Sequence, residues 1–568
     1  MSSKPQSETY GHSYQLPLVV GIIGHGDLDE VSARGIEAEL RACFAEIKKR
    51  YPHTPTLALS SLESKAERLA ARAARGSGAR LIAVVRARPK QGDADFDGLI
   101  EQAERCVELP PIVGLPEESE SACHNHVYAG AYIARHSHML FAIRNNHSDH
   151  HGGVVDRVVR FKLEGVPEPY APPRSPLDMW ESGPVYNVGA DNGSSLKKVA
   201  YPAIYEDEKT AEAAFYNIYR RIDMFNRDCK RLAPKLADRI EKSKTELFSG
   251  TELEGLTPEL HLTRKYFGLA DTLALRFQLK TRRTLLAVLA LTFLVALVLK
   301  VSPLLPGNEL LLNSLYLSSL VAAFGLYYAA RRGEYQNKYQ DYRALAEGLR
   351  VRFFWGLAGL KDSVADRYLR MQNSELDWIR SAIRTWSVPT GEHAGDACSV
   401  ARPRDLMSLV LAHWVEDQHA YFVKTARRNG LRLKRLRRLA NILFGVGVVW
   451  TVFEIIKPPM KWVPVVTSSA KWQGFAYCLT VALGLTPIVG ILLFSYVRTS
   501  ALAENTKQYG RMSTLFANAR QCLSEYLRLD RRDSAEGVIR ELGQEALAEN
   551  GAWVFLHRQR PIDTPRPR

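Results

Sequence analysis

The sequence has little cysteine, and its cysteines are not paired along the chain. The seven cysteines are odd in number, scattered, and never arranged as C-x-x-C. This argues against a disulfide framework and against a cysteine-rich zinc site, and it predicts that the soluble parts lie in reducing cytoplasm. The first 18 residues also lack the apolar stretch and small-residue cleavage pattern of a signal peptide. We therefore expect the amino terminus to be cytoplasmic.

Signatures of several common enzyme classes are also missing. The sequence has no P-loop, no H-E-x-x-H and no G-x-S-x-G. Acidic residues are outnumbered, because 61 Asp and Glu stand against 76 Lys and Arg, a formal net charge of +15. The basic run at 427–438 suggests nucleic acid, but its position beside an apolar segment favours anionic lipid headgroups. We expect no direct nucleic-acid partner.

Histidine is dense between residues 124 and 151, where seven of the fifteen histidines lie. Two of the pairs have i, i+2 spacing, which sends the side chains to different faces of a helix, and Asp149 is the one acidic residue among them. We interpret these histidines as solvent-facing side chains, with one or two at a ligand cleft. No metal site is predicted.

The sequence does have length and four long apolar runs. Its 568 residues exceed what one hydrophobic core normally serves and indicate about three or four units. The mean hydropathy of −0.19 averages over blocks of very different character. Each apolar run is close to the length that crosses a bilayer, so we predict four transmembrane helices in two hairpins. The runs cover 284–299, 310–330, 439–456 and 474–497.

Basic residues at the ends of these runs predict their orientation. Lys280, Arg331 and Arg498 are among those flanking the runs, and the segment 427–438 has seven basic residues and no acidic one. Because Lys and Arg near short loops stay on the cytoplasmic side, both termini and the middle segment are predicted to be cytoplasmic. Lysines in the second outer loop weaken this contrast.

Residues 18–200 have the pattern of a parallel sheet with helices on both faces, which predicts an α/β domain. Short apolar runs alternate there with amphipathic helices. Strands are predicted at 18–23, 56–60, 81–85, 106–109 and 139–143. Helices are predicted at 29–50, 63–75, 94–105, 121–136 and 153–164.

Three loops follow predicted strands and converge at the carboxyl edge of this sheet, where free helix N–H groups attract phosphates. Glycines there permit close approach of backbone to an anion, and a histidine can donate to phosphate or stack on a base. Each feature alone also fits a turn or a helix cap, but their convergence favours a ligand. The candidates are Gly24, His25 and Gly26 in the first loop, Ser60 and Ser61 in the second, and Gly152 and Gly153 in the third.

These loops and their flanks resemble the SLOG superfamily, the Rossmann-like nucleotide-sensing domains related to cytokinin-activating LOG enzymes. The resemblance rests on VVGIIGHGDL, LALSSLESKAERLA, YAGAYIARHSHMLFAIRNN, HGGVVDRVVRFKLEG and SGPVYNV, and covers most of 18–190. It implies a Rossmann-like domain that binds a nucleotide-derived ligand, with Arg68 and Arg144 added to the candidates above. Gly26 and Val154 depart from the family pattern, which commonly has arginine and threonine there.

The hairpins and the stretch YRALAEGLRVRFFWGLAGL (342–360) are similar to SLATT-type membrane effectors, which occur joined to SLOG domains in prokaryotic conflict systems. The two resemblances imply a sensor-effector of the inner membrane that binds a nucleotide second messenger and permeabilises the membrane in antiviral abortive infection. The expected partners are a cyclic oligonucleotide or ADP-ribose-like messenger, a separately encoded enzyme that makes it, the lipid bilayer, and further copies of the chain.

Two alternatives remain open: a membrane-tethered LOG-like N-glycosidic hydrolase and a membrane scaffold. LOG enzymes use a loop with a catalytic glutamate, whereas GGVVDRVV from residue 152 has no glutamate at that spacing and Asp156 is the nearest carboxylate. We therefore predict no enzyme activity and no cofactor. The predicted segments are a disordered tail (1–17), the SLOG-like domain (18–200), a helical connector (201–283), hairpin 1 (284–330), cytosolic helices (331–438), hairpin 2 (439–497) and a cytosolic carboxyl-terminal part (498–568).

Overall fold

The chain divides into two compact units in a computed structural model. One, the α/β unit, comprises Met1–Leu269 and Gly348–Val400. The other, the helical unit, comprises Ala270–Glu347 and Ala401–Arg568. The structure describes residues 15–25, 30–86, 93–110, 122–144, 153–172, 178–189, 198–250, 255–368, 376–386, 403–456 and 470–558.

A mostly parallel sheet forms the centre of the α/β unit. Its strand order is β4-β3-β2-β1-β5-β6-β7, and each neighbouring pair is parallel except the antiparallel pair of β6 and β7. The chain therefore adds strands on one side of β1 up to β4 and then crosses to the other side with β5. The strands are β1 (Leu18–Gly24), β2 (Thr56–Ser60), β3 (Arg80–Val85), β4 (Arg105–Glu108), β5 (Met139–Ile143), β6 (Val185–Val188) and β7 (Val199–Ala200).

Five helices connect these strands at the predicted places. The third ends earlier than the predicted residue 105, because β4 already begins at Arg105. Two short strands, β6 and β7, were not predicted, since four and two residues are too few for a recognisable alternation. The helices are α1 (Glu30–Arg50), α2 (Lys65–Gly76), α3 (Ala94–Gln102), α4 (Ala122–His136) and α5 (Val154–Glu164).

The core of the sheet is apolar on both faces, as a parallel sheet covered by helices requires. Val19, Leu59 and Leu140 are fully buried in it. Helices α4 and α5 pack closely where Gly130 meets Val158, since a Cβ on Gly130 would stand 2.3 Å from the Val158 Cγ2. This contact sets the close spacing of the two helices on their face of the sheet.

Helices make up the remainder of the described chain. Those of the α/β unit are α6 (Glu208–Leu232), α7 (Ala237–Leu247), α11 (Val364–Arg367) and α12 (Asp377–Thr385). Those of the helical unit are α9 (Glu309–Arg332), α13 (Pro403–Val410), α14 (Asp417–Ile456), α15 (Ala470–Thr499), α16 (Leu502–Arg528) and α17 (Arg532–Arg558), with a π-helical turn at Leu411–Glu416. Two more, α8 (Pro258–Val301) and α10 (Tyr335–Leu357), have residues in both units.

Four helical runs are long and apolar enough to cross a membrane, and they contain three of the predicted apolar runs whole and the fourth from Cys478 onward. In each, only 6% to 11% of the most apolar window is buried inside the protein. A buried helical hairpin of a soluble protein would show the opposite, so these faces are suited to lipid. The runs are Pro258–Val301, Glu309–Leu357, Asp405–Ile456 and Cys478–Arg528.

Candidate functional site

The carboxyl ends of β1, β2 and β5 lie side by side and form what we call the strand-end cleft. In the register of the sheet, Gly24 at the end of β1 is opposite Ile143 at the end of β5. Ser60 ends β2 on the other side of β1 and is opposite Ile22. Chain order reverses at this point, and ligands of open α/β sheets bind in the crevice beyond such a reversal.

Glu67 is the centre of the hydrogen bonds in the cleft. Its side chain is fully buried, and Oε1 accepts the Gly24 N–H at 3.2 Å and lies 2.7 Å from His126 Nε2. Oε2 accepts the Ser61 hydroxyl at 2.5 Å and the Glu63 N–H at 3.1 Å. Both carboxylate oxygens therefore have hydrogen-bond partners although the side chain is buried. Glu67 therefore ties the end of β1, the loop after β2 and helix α4 together.

His126 and Glu63 have perturbed pKa values because they are buried beside this carboxylate. Burial opposes the charged form of His126, but the Glu67 and Glu63 carboxylates outweigh it and raise the pKa of His126 to about 9. Burial raises the pKa of Glu63 to about 7, with His126 acting against the rise and Glu67 adding to it. The Glu63 and His126 side chains approach to 3.9 Å. The three side chains form an acid–base cluster at the cleft.

His25 and Arg144 occupy the β1–β5 side of the cleft. The backbone N–H of His25 donates to the Ile143 carbonyl at 3.3 Å. Burial, and then the charge of Arg144, lower the pKa of the His25 imidazole, so it is neutral near pH 7. Arg144 bonds Asp156 in the first turn of α5 at 2.5 Å and Asn187 of β6 at 3.2 Å. An anionic ligand could recruit this guanidinium by competing with Asp156.

The two serines are placed in the cleft but are turned inward. Both are fully buried. The Ser60 hydroxyl accepts the Leu62 N–H at 3.2 Å, and the Ser61 hydroxyl donates to Glu67. Their local role is to hold the loop after β2, in which Leu62 has a left-handed φ of 58°. A ligand contact to Ser61 requires exchange of its hydrogen bond to Glu67.

Arg68 supports this loop from the start of α2. Its Nε donates to the Leu62 carbonyl at 2.8 Å, and a terminal nitrogen pairs with Asp93 at 2.7 Å. The guanidinium carbon also lies 5.7 Å from the centroid of the Phe96 ring. Arg68 therefore stabilises the wall of the cleft, and its guanidinium already makes these three contacts.

The glycines have distinct roles where they are described. A Cβ on Gly24 would stand 2.7 Å from the Ala66 Cβ, so this position needs glycine for close packing. Gly153 caps α5 with a φ of −64° and without a side-chain cap, which leaves amides of the first turn for a ligand. Gly26 and Gly152 lie outside the described residues.

Glu63, Glu67 and His126 are the residues that reasoning from the sequence missed. The two glutamates stand in the same stretch as the serine pair, at i, i+4 spacing, which places them on one side of the start of α2. His126 is one of the dense histidines, but its position against Glu67, 59 residues away, has no local signal.

The prediction that these histidines face solvent is wrong for His136 and His138, because both side chains are buried. His136 stacks on Tyr132 with 3.9 Å between ring centroids, and His138 precedes β5 at the opposite edge of the sheet. Within the described ranges, no group of three or more His, Cys, Asp or Glu side chains is arranged to hold a metal ion. His147, His150 and His151 fall outside those ranges.

Comparison with protein-family models, with curated proteins and with solved structures gives no match.

Proposed function

We propose that the chain is a membrane-anchored sensor-effector, in which a Rossmann-like, SLOG-like domain binds a nucleotide-derived messenger and the apolar helices respond. The observation that carries this proposal is the strand-end cleft at the reversal of strand order, in a chain that also has four helices apolar enough to span a membrane. The apolar helices can respond without any chemical reaction, because a ligand shifts a membrane assembly between two states when it binds one state more tightly than the other.

The cleft has groups of the kinds that a nucleotide phosphate requires. The uncapped amides at the start of α5 and the Arg144 guanidinium supply donors, while neutral His25 offers a ring for a base or a donor for an oxygen. The carboxylate of Glu67 would repel a phosphate, but its charge is compensated by His126. A phosphate is thus expected beside Arg144 and the first turn of α5.

The membrane part of the proposal follows from charge and helix number. Basic ends on all four spans favour cytoplasmic termini in an inner membrane of a prokaryote. Four spans with few charged residues have too few polar side chains to line an aqueous pore as a monomer, so the effector is proposed to act as a homo-oligomer. Permeabilisation on messenger binding would fit antiviral abortive infection, with the messenger made by a separate enzyme.

The test uses the full chain in liposomes filled with a small dye. Cyclic oligonucleotides, ADP-ribose and NAD are added in turn, and dye release is measured together with binding by calorimetry. One of these compounds should both bind and release dye. Gly153→Leu keeps a φ that any residue adopts but adds bulk against the amides of α5, so it should abolish both signals. Binding that is unchanged in folded Gly153→Leu would remove the assignment of this site.

A second candidate is the membrane-tethered hydrolase, and the acid–base cluster favours it. Glu63 has a pKa near 7, as a general acid or base requires, and stands beside charged His126 at the same cleft. The distinguishing measurement is chromatography of each nucleotide after incubation with the protein. Release of a free base by the wild type, lost in Glu63→Gln while binding remains, would establish the enzyme. Intact nucleotide together with dye release would establish the sensor.

A further inference from the structure

The α/β unit contains a second cavity at the amino edge of the sheet, opposite the strand-end cleft. Its volume is about 70 Å³. That is room for a few water molecules or for one tetrahedral oxyanion. The charged and imidazole side chains that matter here are Arg135, His138, Lys162, Glu181, Arg380 and Arg384.

These six side chains are all more than nine-tenths buried. Arg135 ends α4, Lys162 lies in the last turn of α5, and Glu181 precedes β6. Arg380 and Arg384 come from α12, in the segment Gly348–Val400 that returns to this unit. The cavity is thus assembled from parts of the chain that are distant in sequence, and the donors face it from more than one side.

The lining is rich in basic side chains. Four of them line the cavity against two carboxylates, those of Glu181 and Asp377. Arg384 bonds Glu181 at 2.8 Å and also Asp366, just beyond the lining, at 2.7 Å, while Arg135 bonds the other Asp366 oxygen at 2.5 Å. Burial, followed by the charge of Arg384, lowers the pKa of Lys162 to about 7, so three guanidiniums and a partly charged ammonium face three carboxylates. A bound anion would favour the charged form of Lys162.

His138 supplies the observation that points to a ligand. Its Nδ1 accepts the Val19 N–H at 2.9 Å, so a neutral ring carries its proton on Nε2. Burial, followed by Lys162 and Arg384, lowers the pKa of His138 to about 3, which keeps the ring neutral. Nε2 is buried and has no hydrogen-bond partner among the described residues. A buried donor without an acceptor is costly, and an oxyanion in the cavity would satisfy it.

We propose that this cavity is a binding site for a single phosphate group, held by the His138 Nε2–H and the guanidiniums of Arg380 and Arg384. Guanidinium forks match the oxygens of phosphate, and a tetrahedral anion accepts donors arriving from several directions. Because α12 forms one wall, the anion would fasten the returning segment to the sheet. This site does not depend on nucleotide binding at the strand-end cleft.

The test is calorimetric titration of the full chain in detergent micelles with inorganic phosphate, at constant ionic strength, beside acetate and chloride. Saturable binding of phosphate, and no binding of acetate or chloride at the same concentration, is expected. His138→Asn retains an acceptor for the Val19 N–H but is too short to place a donor at the position of Nε2, and should weaken phosphate binding about tenfold or more. Arg380→Gln should weaken it at least as much, and Arg380→Lys should restore part of it.

Arg239→Gln, on an exposed position of α7, is the matched control and should bind as the wild type does. Ribose 5-phosphate shows whether the cavity takes free phosphate or a phosphate ester. If it competes with inorganic phosphate, the site accepts an ester; if it does not, the site accepts only the free anion. The proposal is overturned if phosphate does not bind, if acetate binds equally well, or if folded His138→Asn binds phosphate as tightly as the wild type. If Arg380→Gln does not fold, phosphate binding by His138→Asn is the deciding measurement.

Discussion

At the scale of single residues, one buried carboxylate organises the strand-end cleft. Glu67 accepts hydrogen bonds from β1 and from the loop after β2, and it pairs with His126 of α4. Burying a charge is unfavourable unless its oxygens are satisfied, and here both are. The same carboxylate raises the pKa of His126 and adds to the larger effect of burial on Glu63.

Stability is expected to fall as the pH rises, because the folded state raises two pKa values in this cluster. Glu63 rises from 4.5 to about 7 and His126 from 6.5 to about 9. A raised pKa means that the folded state binds more protons, so its contribution is full below the unfolded pKa and is lost through the folded one. The His126 contribution, up to roughly 3 kcal/mol, should therefore disappear between about pH 6.5 and 9.

The measurement is the unfolding temperature of the full chain in detergent across this range. Wild type should lose stability steadily, and His126→Gln should give a flatter profile above pH 6.5. His261→Gln, at an exposed position of α8, is the control and should follow the wild type. A wild-type profile that rises from pH 6.5 to 9 would contradict the assigned charges.

Gly24 and Gly98 offer a matched test of close packing. A Cβ at Gly24 would stand 2.7 Å from the Ala66 Cβ and 3.3 Å from the Ile143 Cβ, whereas a Cβ at Gly98 in α3 meets nothing within 4 Å. Gly24→Ala is therefore expected to destabilise by about 1–3 kcal/mol. Gly98→Ala should stabilise by about 0.5–1 kcal/mol, since glycine is unfavourable within a helix. Chemical denaturation measures both, and equal effects would refute the packing argument.

At the scale of elements, helices α14 and α15 meet at a glycine and a proline. Pro487 lies inside α15 and has no N–H for the carbonyl of Leu483. The Thr486 hydroxyl donates to that carbonyl at 2.7 Å, so the backbone group is satisfied at a depth where water is scarce. Gly447 of α14 packs against the proline ring, as a Cβ there would lie 2.3 Å from Pro487 Cγ.

This contact predicts different results for two neighbouring glycines. Gly447→Leu should separate α14 from α15, lower the unfolding temperature in detergent by several degrees, and prevent messenger-triggered dye release. Gly445→Leu is the control, because a Cβ at Gly445 meets nothing within 4 Å. Messenger binding should survive both changes. Dye release by Gly447→Leu at the wild-type level would show that this packing has no part in the response.

At the scale of the whole molecule, the chain leaves the α/β unit for the helical unit and then returns. Gly348–Val400 belongs to the α/β unit although it follows the first two apolar runs. Sequence boundaries placed these residues among the cytosolic helices of 331–438. The structure adds that their helix α12 contributes Arg384, which pairs with Glu181 across 203 residues.

The orientation of the four predicted spans in the membrane is also a property of the whole molecule. In a background without native cysteines, Leu305→Cys and Val465→Cys should react with an impermeant thiol reagent added outside intact cells. Tyr335→Cys and Gly430→Cys should react only after the cells are opened, because the basic residues at the ends of the spans predict that these ends are cytoplasmic. Position 465 lies outside the described residues. Reversed labelling at either pair of spans would contradict the four-span orientation.

The local sequence pattern was sufficient to predict the strands and helices whose apolar residues recur at a regular interval. Five strands and their five connecting helices lie where the apolar periodicity placed them, and the four apolar runs lie in four long helices. Periodicity works here because burial of one face, or of a whole span in lipid, selects side chains at fixed intervals along the chain. The candidate loops were also found at the ends of the strands, since the order of strand and loop is local information.

Tertiary structure alone decided which side chains meet and which remain available. The two serines proposed for a ligand are turned inward, and Glu67 reaches His126 across 59 residues. The amino-edge cavity needs Lys162 from α5 beside Arg384 from α12, which no interval in the sequence indicates. The physical reason is that pairing of buried charges depends on distances of a few ångströms in space, and these are set by packing between elements rather than by spacing along the chain.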